Sequence, residues 1–289
     1  MKPVSMLPNL LTLGNCACGL LAISKAVDAL AYQGDDDTFF YVKMEAACSL
    51  IFLGMVFDFL DGKVARLTKS FSDFGAQLDS LSDAVTFGIA PAILAKVLIE
   101  HEGPLMDYHG SPRLHFIAAA CFALMALLRL ARFNLETEHD EDAHQEFRGL
   151  PSPAGAGAVT STLLLYLILR TPSLEESDGT VTPVGRVMDW MKEIDWTPVL
   201  AWGPLYLAIL LPVIGLLMVS RVPYAHAASF LARDRSNFLT LVAVVFVGFG
   251  LYLAPVPLLF VSFNAFVLIG LLQRVRKFMR RDETPDQAD

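Results

Sequence analysis

DFLDGKVARLTKSFSDFGAQLDSLSD, residues 58–83, joins two long apolar runs and sets acids where each run meets it. Asp58 and Asp61 stand three apart, and Asp79 and Asp83 four apart, so on helices each pair presents both acids on one face. Two helices can therefore aim four carboxylates at one point. Ionised acids beside hydrocarbon are costly, and an intramembrane cluster of them marks a functional site.

The flanking runs, 39–61 and 76–99, are long enough to cross a bilayer. Further spans are expected at 7–31, 114–134, 154–169, 199–219, 238–254 and 256–273. The result is an all-α, polytopic helical bundle. Composition agrees, since 54% of the 289 residues are apolar and the mean hydropathy is positive. The net charge of −8 gives no reason to expect a nucleic-acid partner, because the acids gather in short segments such as 35–37 and 136–148. The latter reads as a solvated acidic loop rather than a metal site, as nothing in it sets a ligand geometry. Cys16, Cys18, Cys48 and Cys121 all fall inside apolar runs, which argues against a disulfide or zinc framework. The opening Met1-Lys2 leads into an apolar run with no convincing cleavage site, so it reads as a retained first span.

Lysine and arginine set the orientation. With the N-terminus inside, the inner segments carry Lys2, Lys63, Arg66, Lys69, Arg129, Arg132, Arg148, Arg221, Arg233 and Arg235, together with the basic run from Arg274 to Arg281. The outer ones carry only Lys43, Arg113, Arg170, Arg186 and Lys192. By the positive-inside rule both termini and the 58–83 stretch lie on the cytoplasmic side, where a substrate would be cytosolic or lipid-borne. Segment 171–198, with Trp190 and Trp196, is expected outside along the interface.

The helix bearing Asp58 and Asp61 is expected to break near Gly62, and the next to start at Ser72 to Gly75 with Ser72 or Asp73 as its cap. Two ionised acids about 4 Å apart repel by about 4 kcal/mol at an effective dielectric of roughly 20. Protonation would relieve this. Two divalent cations would also cancel four charges, and carboxylate ligation suits Mg²⁺ or Mn²⁺. Paired metals of this kind recur in phosphoryl chemistry. Gly62, Ala65 and Gly75 let a ligand approach the backbone, and Arg66 offers a fork for phosphate oxygens. Helix packing and the positive-inside rule account for those residues singly, but not for four acids together. The constellation points to transfer of a phosphate-linked group. Acids inside spans also mark ion paths, so a divalent-cation or proton-coupled transporter is the alternative from another class; it would spread its acids along a conduit.

The spacing D-x2-D-G-x2-A-R-x8-G-x3-D-x3-D is matched by Asp58, Asp61, Gly62, Ala65, Arg66, Gly75, Asp79 and Asp83, and in this the chain resembles the CDP-alcohol phosphotransferase family. The resemblance implies a six-span membrane core within residues 1–219, additional C-terminal spans in 220–273 and a basic then acidic tail in 274–289. It implies that Asp58, Asp61 and Asp79 hold metal and that Asp83 both touches the second metal and takes the proton of the attacking alcohol. Pro8, Asn9, Gly62, Ala65, Arg66, Ser72 and Gly75 are the implied contacts to the CDP-lipid. The run Arg129-Leu-Ala-Arg132-Phe-Asn134 and the run Arg148-Gly-Leu-Pro-Ser-Pro resemble the phosphatidylserine synthase branch. They make Arg129, Arg132, Asn134 and Arg148 candidate acceptor contacts. The implied substrates are CDP-diacylglycerol and L-serine, with glycerol 3-phosphate or an inositol derivative as the other acceptors. A homodimer in a bacterial inner membrane completes the expectation. The small-residue run 154–158 reads as a packing face, since it lacks the lysine of a phosphate loop.

Overall fold

A computed structural model of the chain describes residues 6–31, 37–68, 72–139, 149–170, 194–220, 222, 250 and 253–282. Among them every regular element is helical: α1 (Met6–Leu30), α2 (Asp37–Thr68), α3 (Asp73–Asp83), a π-helical turn (Ala84–Ile89), α4 (Ala90–Leu105), α5 (Pro112–His139), α6 (Ser152–Arg170), α7 (Thr197–Leu200), α8 (Gly203–Val219) and α9 (Pro255–Asp282). Among the described residues, six stretches are long and apolar enough to cross a membrane: Met6–Leu30, Phe39–Thr68, Asp73–Leu105, Pro112–Leu135, Ser152–Arg170 and Pro255–Arg274. The chain is an all-α polytopic membrane protein.

Three expectations about its helices change. First, α2 does not break at Gly62 but runs on to Thr68. One glycine costs a helix only about 1 kcal/mol relative to alanine, which the flanking turns outweigh. Second, the span expected at 199–219 divides into α7 and the 17-residue α8, where Pro204 denies the chain a backbone donor. Third, the span from Asp73 to Leu105 carries a π turn. Pro91 follows that turn, has no N–H to give and would press on the carbonyl four residues back; the wider turn, closed by Ala90 N–H to Val85 O, accommodates it. The expected span at 238–254 lies largely outside the described residues, as do 171–193 and most of 136–148.

The α3–α4 helix is the most buried of the long ones, with Phe87, Leu94, Leu98 and Ile99 fully enclosed. Phe40, Met44 and Ile51 of α2 and Leu163 and Leu167 of α6 complete the same core. α1 lies along α2, α5 along α8, and α9 along α6. Large apolar side chains such as Leu20, Leu53, Phe116 and Leu124 face outward, as lipid contact requires. The small-residue run packs closely: Gly155 abuts Met218 and Ile214, and Gly157 abuts the Phe263 ring. Gly149, at a φ of 96°, donates to Val222 O at 2.8 Å, which ties the start of α6 to the end of α8.

At the end of the bundle remote from residues 58–83, Glu102 is fully buried and joins three helices. It accepts from Tyr41 of α2 at 2.6 Å and from Tyr166 and Arg170 of α6 at 2.8 and 3.1 Å. A buried carboxylate needs such donors to offset its lost hydration.

Candidate active site

Because α2 continues through Gly62, it carries Asp58, Asp61, Gly62, Ala65 and Arg66 as one rigid piece. α3 starts where Ser72, in extended conformation, accepts the Gly75 N–H at 3.0 Å; Ser72 rather than Asp73 is its cap. Asp79 lies within α3, and Asp83 ends it just before the π turn. The two helices bring carboxylate oxygens of Asp58, Asp61 and Asp79 within 4.8 Å of one another. Asp83 stands outside that trio but within electrostatic reach of all three.

α1 supplies donors that the spacing of the acids did not reveal. Thr12 Oγ1 donates to Asp61 Oδ2 at 2.8 Å, and Asn15 Nδ2 donates to Asp83 Oδ1 at 3.0 Å. Ser82 Oγ in turn donates to the Thr12 carbonyl at 3.0 Å. The signal was present as Asn9, Thr12 and Asn15 at helical spacing in a mostly apolar run, because polar side chains inside a span need partners.

Beside the acids opens a cleft of about 230 Å³ lined by Pro8, Asn9, Thr12, Asp61, Gly62, Ala65, Ser72, Gly75, Ala76 and Asp79. It gathers every expected CDP-lipid contact except Arg66. That side chain is exposed and donates from Nε to the Gly62 carbonyl at 3.0 Å, one turn back on its own helix. A Cβ added at Gly62 would meet no atom within 4 Å, so this position faces open space. Gly75 is tighter, as a Cβ added there would stand 3.2 Å from Asn9 Oδ1.

Of the expected acceptor residues, Asn134 reaches the site helix: its Nδ2 donates to Ser80 Oγ at 2.9 Å, next to Asp79. Arg129 is buried on α5 with its guanidinium 5.3 Å over the Phe133 ring. Arg132 is half-buried on the same helix, and Arg148 lies outside the described residues.

The trio could hold a metal ion. Its ligands are all hard oxygens from two helices, and Asp79 Oδ1 is buried with no hydrogen-bond donor among the described residues. An ion there would relieve both the mutual repulsion and that unmet acceptor.

The chain is similar to proteins already known. Several curated relatives carry the name CDP-diacylglycerol–serine O-phosphatidyltransferase. The one from Helicobacter pylori is 32% identical over 164 residues, 57% of this chain and 60% of its own. The Bacillus subtilis protein is 33% identical over 150 residues, 52% of this chain and 71% of its own. That of Methanocaldococcus jannaschii is 46% identical over 108 residues, 37% of this chain and 45% of its own. The chain thus spans about 60% of the length of the Helicobacter relative. The model of the CDP-alcohol phosphatidyltransferase family matches residues 5–192, which takes in the acids, the cleft and all the α1 donors. With well over half of its length matched, the chain belongs to that family.

Proposed function

We propose that this protein is a membrane enzyme that moves the phosphatidyl group of CDP-diacylglycerol to the hydroxyl of L-serine, giving phosphatidylserine and CMP. The observation that carries the reading is the meeting of three acids from two helices beside a cleft lined by small residues. The names of the relatives support serine as acceptor. Ser80 and Asn134, joined beside Asp79, supply polar groups suited to a small zwitterion.

Asp58, Asp61 and Asp79 would hold divalent metal, Mg²⁺ or Mn²⁺ and two ions per site, with Asp83 shared to the second. Metal held by these residues would polarise the pyrophosphate and stabilise charge on the departing CMP. The protein's own groups do the rest. Gly62, Ala65 and Gly75 leave room for the pyrophosphate backbone, and Pro8, Asn9 and Ser72 flank the nucleotide side. Arg66, turning from its exposed position, pairs with phosphate oxygens. Arg129, Arg132 and Arg148 hold the serine carboxylate, while Asn134 orients its amine or hydroxyl. Asp83 takes the hydroxyl proton as the serine oxygen bonds to the lipid-side phosphorus and the bond to CMP breaks. The active site and both termini face the cytoplasm, residues 1–219 form the catalytic core, and the enzyme is a homodimer in a bacterial inner membrane.

The test is CMP release from CDP-diacylglycerol by purified protein with Mg²⁺ or Mn²⁺, each alcohol offered separately. Serine should support turnover. Failure with serine but success with glycerol 3-phosphate or inositol would overturn the acceptor assignment.

A further inference from the structure

Asp83 lies at a crossing of three segments, and one side chain at that crossing is unexplained by packing. Asn15 of α1 is fully buried. Its Nδ2 donates to Asp83 Oδ1 at 3.0 Å, while its Oδ1 is buried with no donor among the described residues. A leucine would fill similar space without stranding an amide oxygen, so the amide is accounted for by what its nitrogen holds.

The surroundings hold Asn15 from every side. Its carbonyl accepts from Thr86 Oγ1 at 2.9 Å, and Thr86 sits in the π turn three residues after Asp83. A Cβ on Gly54 of α2 would stand 3.0 Å from Asn15 Oδ1 and 2.7 Å from Thr86 Cγ2. One on Gly19 of α1 would stand 2.8 Å from the Thr86 Cα. Contacts under 3.0 Å force a neighbour to shift, and at Gly19 that neighbour is backbone. α1, α2 and the π turn thus pack closely around the amide.

We propose that Asn15 is a positioning residue for the transfer reaction, fixing Oδ1 of Asp83 so that Oδ2 is the oxygen left to receive the acceptor's proton. The inference rests on the reading of Asp83 as the base. An amide N–H only donates, so it engages one lone pair of Oδ1 and makes that oxygen the less basic of the two, while Oδ2 is free of the Asn15 contact. The proton then passes from the acceptor hydroxyl to Oδ2 while that hydroxyl oxygen bonds to phosphorus. The phosphorus–oxygen bond to CMP breaks, and its electron pair leaves with CMP. Asn15 neither gains nor loses a proton.

The experiment measures CMP release and melting temperature on the full chain in detergent, with Mg²⁺ and serine, for Asn15→Ala, Asp83→Asn, the exchange Asn15→Asp with Asp83→Asn, and Gly54→Ala. Misplacing a reacting group by about 1 Å can cost about 10²-fold, so Asn15→Ala should lower kcat by about that factor and leave both KM values within about threefold. The exchange restores a donor and an acceptor across the same contact; it should recover the melting temperature and stay inactive. Gly54→Ala, which presses on the amide from α2, should lower kcat in the same direction and carries the test if Asn15→Ala does not fold. A kcat for Asn15→Ala within twofold of the parent would overturn the inference, as would a loss wholly in KM or an active exchange variant. Asp83→Asn separates the two readings. If it retains turnover, the base assignment fails whatever Asn15 does; if it is dead while Asn15→Ala is fully active, only the positioning role fails.

Discussion

Asp58, Asp61 and Asp79 are close enough that activity and stability should respond to them with opposite signs. On the proposed reading Asp58→Asn or Asp79→Asn removes a metal ligand, and either should bring CMP release to background. The same change removes one of several crowded like charges, so in chelator the variant should melt higher than its parent, by up to about 4 kcal/mol of relieved repulsion. A lower melting temperature for both variants would show that crowding of charge is not the strained feature. Asp83→Asn should cost about 10²–10⁴-fold in turnover, the usual reach of a general base. Thr12→Val leaves Asp61 without its donor at 2.8 Å, and should destabilise the protein by about 1–3 kcal/mol while weakening metal dependence. The acids were legible because their spacing follows the helix period. Their donors were not, because Thr12 and Asn15 lie 49 and 68 residues away from the acids they serve. Arg66 marks the other limit: spacing gave its helix face, but not that its side chain folds back on Gly62.

The π turn decides how α3 meets α1 and α2. Spans were legible as apolar runs, yet the turn inside one of them was not, because apolarity does not distinguish an α-helical from a π-helical backbone. Pro91 was the available sign. Its neighbour in effect is Gly19, where the Thr86 backbone approaches to within 2.8 Å of a would-be Cβ. Gly19→Val should therefore cost at least the about 1–3 kcal/mol of ordinary overpacking, read as a lower melting temperature, and abolish CMP release by moving Asp83. Near-parental melting and turnover would mean that the crossing yields more readily than its contacts indicate. Gly62 taught the reverse lesson. A glycine that reads as a helix end instead opens a wall of the cleft, since local propensity is a weak preference beside the packing of a long apolar helix.

At the scale of the molecule, the bundle holds its two ends by different means. One end gathers three carboxylates beside a cleft; at the other a single acid, Glu102, ties α2, α4 and α6 together. Chelation should accordingly stop CMP release and lower the melting temperature, and added Mg²⁺ or Mn²⁺ should restore both. Glu102→Leu removes the acceptor that two tyrosines and an arginine share. It should lower stability by about 3–5 kcal/mol, with KM for CDP-diacylglycerol unchanged; a parental melting temperature would refute the tie. None of this network was legible beforehand, because its members come from three helices and 61 to 68 residues separate each donor from Glu102.

The helix that begins at Asp73 and ends at Leu105 joins those two ends without a break. About 28 Å of it separates Asp83 from Glu102, at 1.5 Å per residue. Over that length a tilt of about 2° carries the acid end sideways by about 1 Å, a displacement that matters to a reacting group. Spans tilt to match the bilayer that holds them. A bilayer that tilts this helix against its neighbours should therefore alter turnover, read as different rates in vesicles of short and long acyl chains.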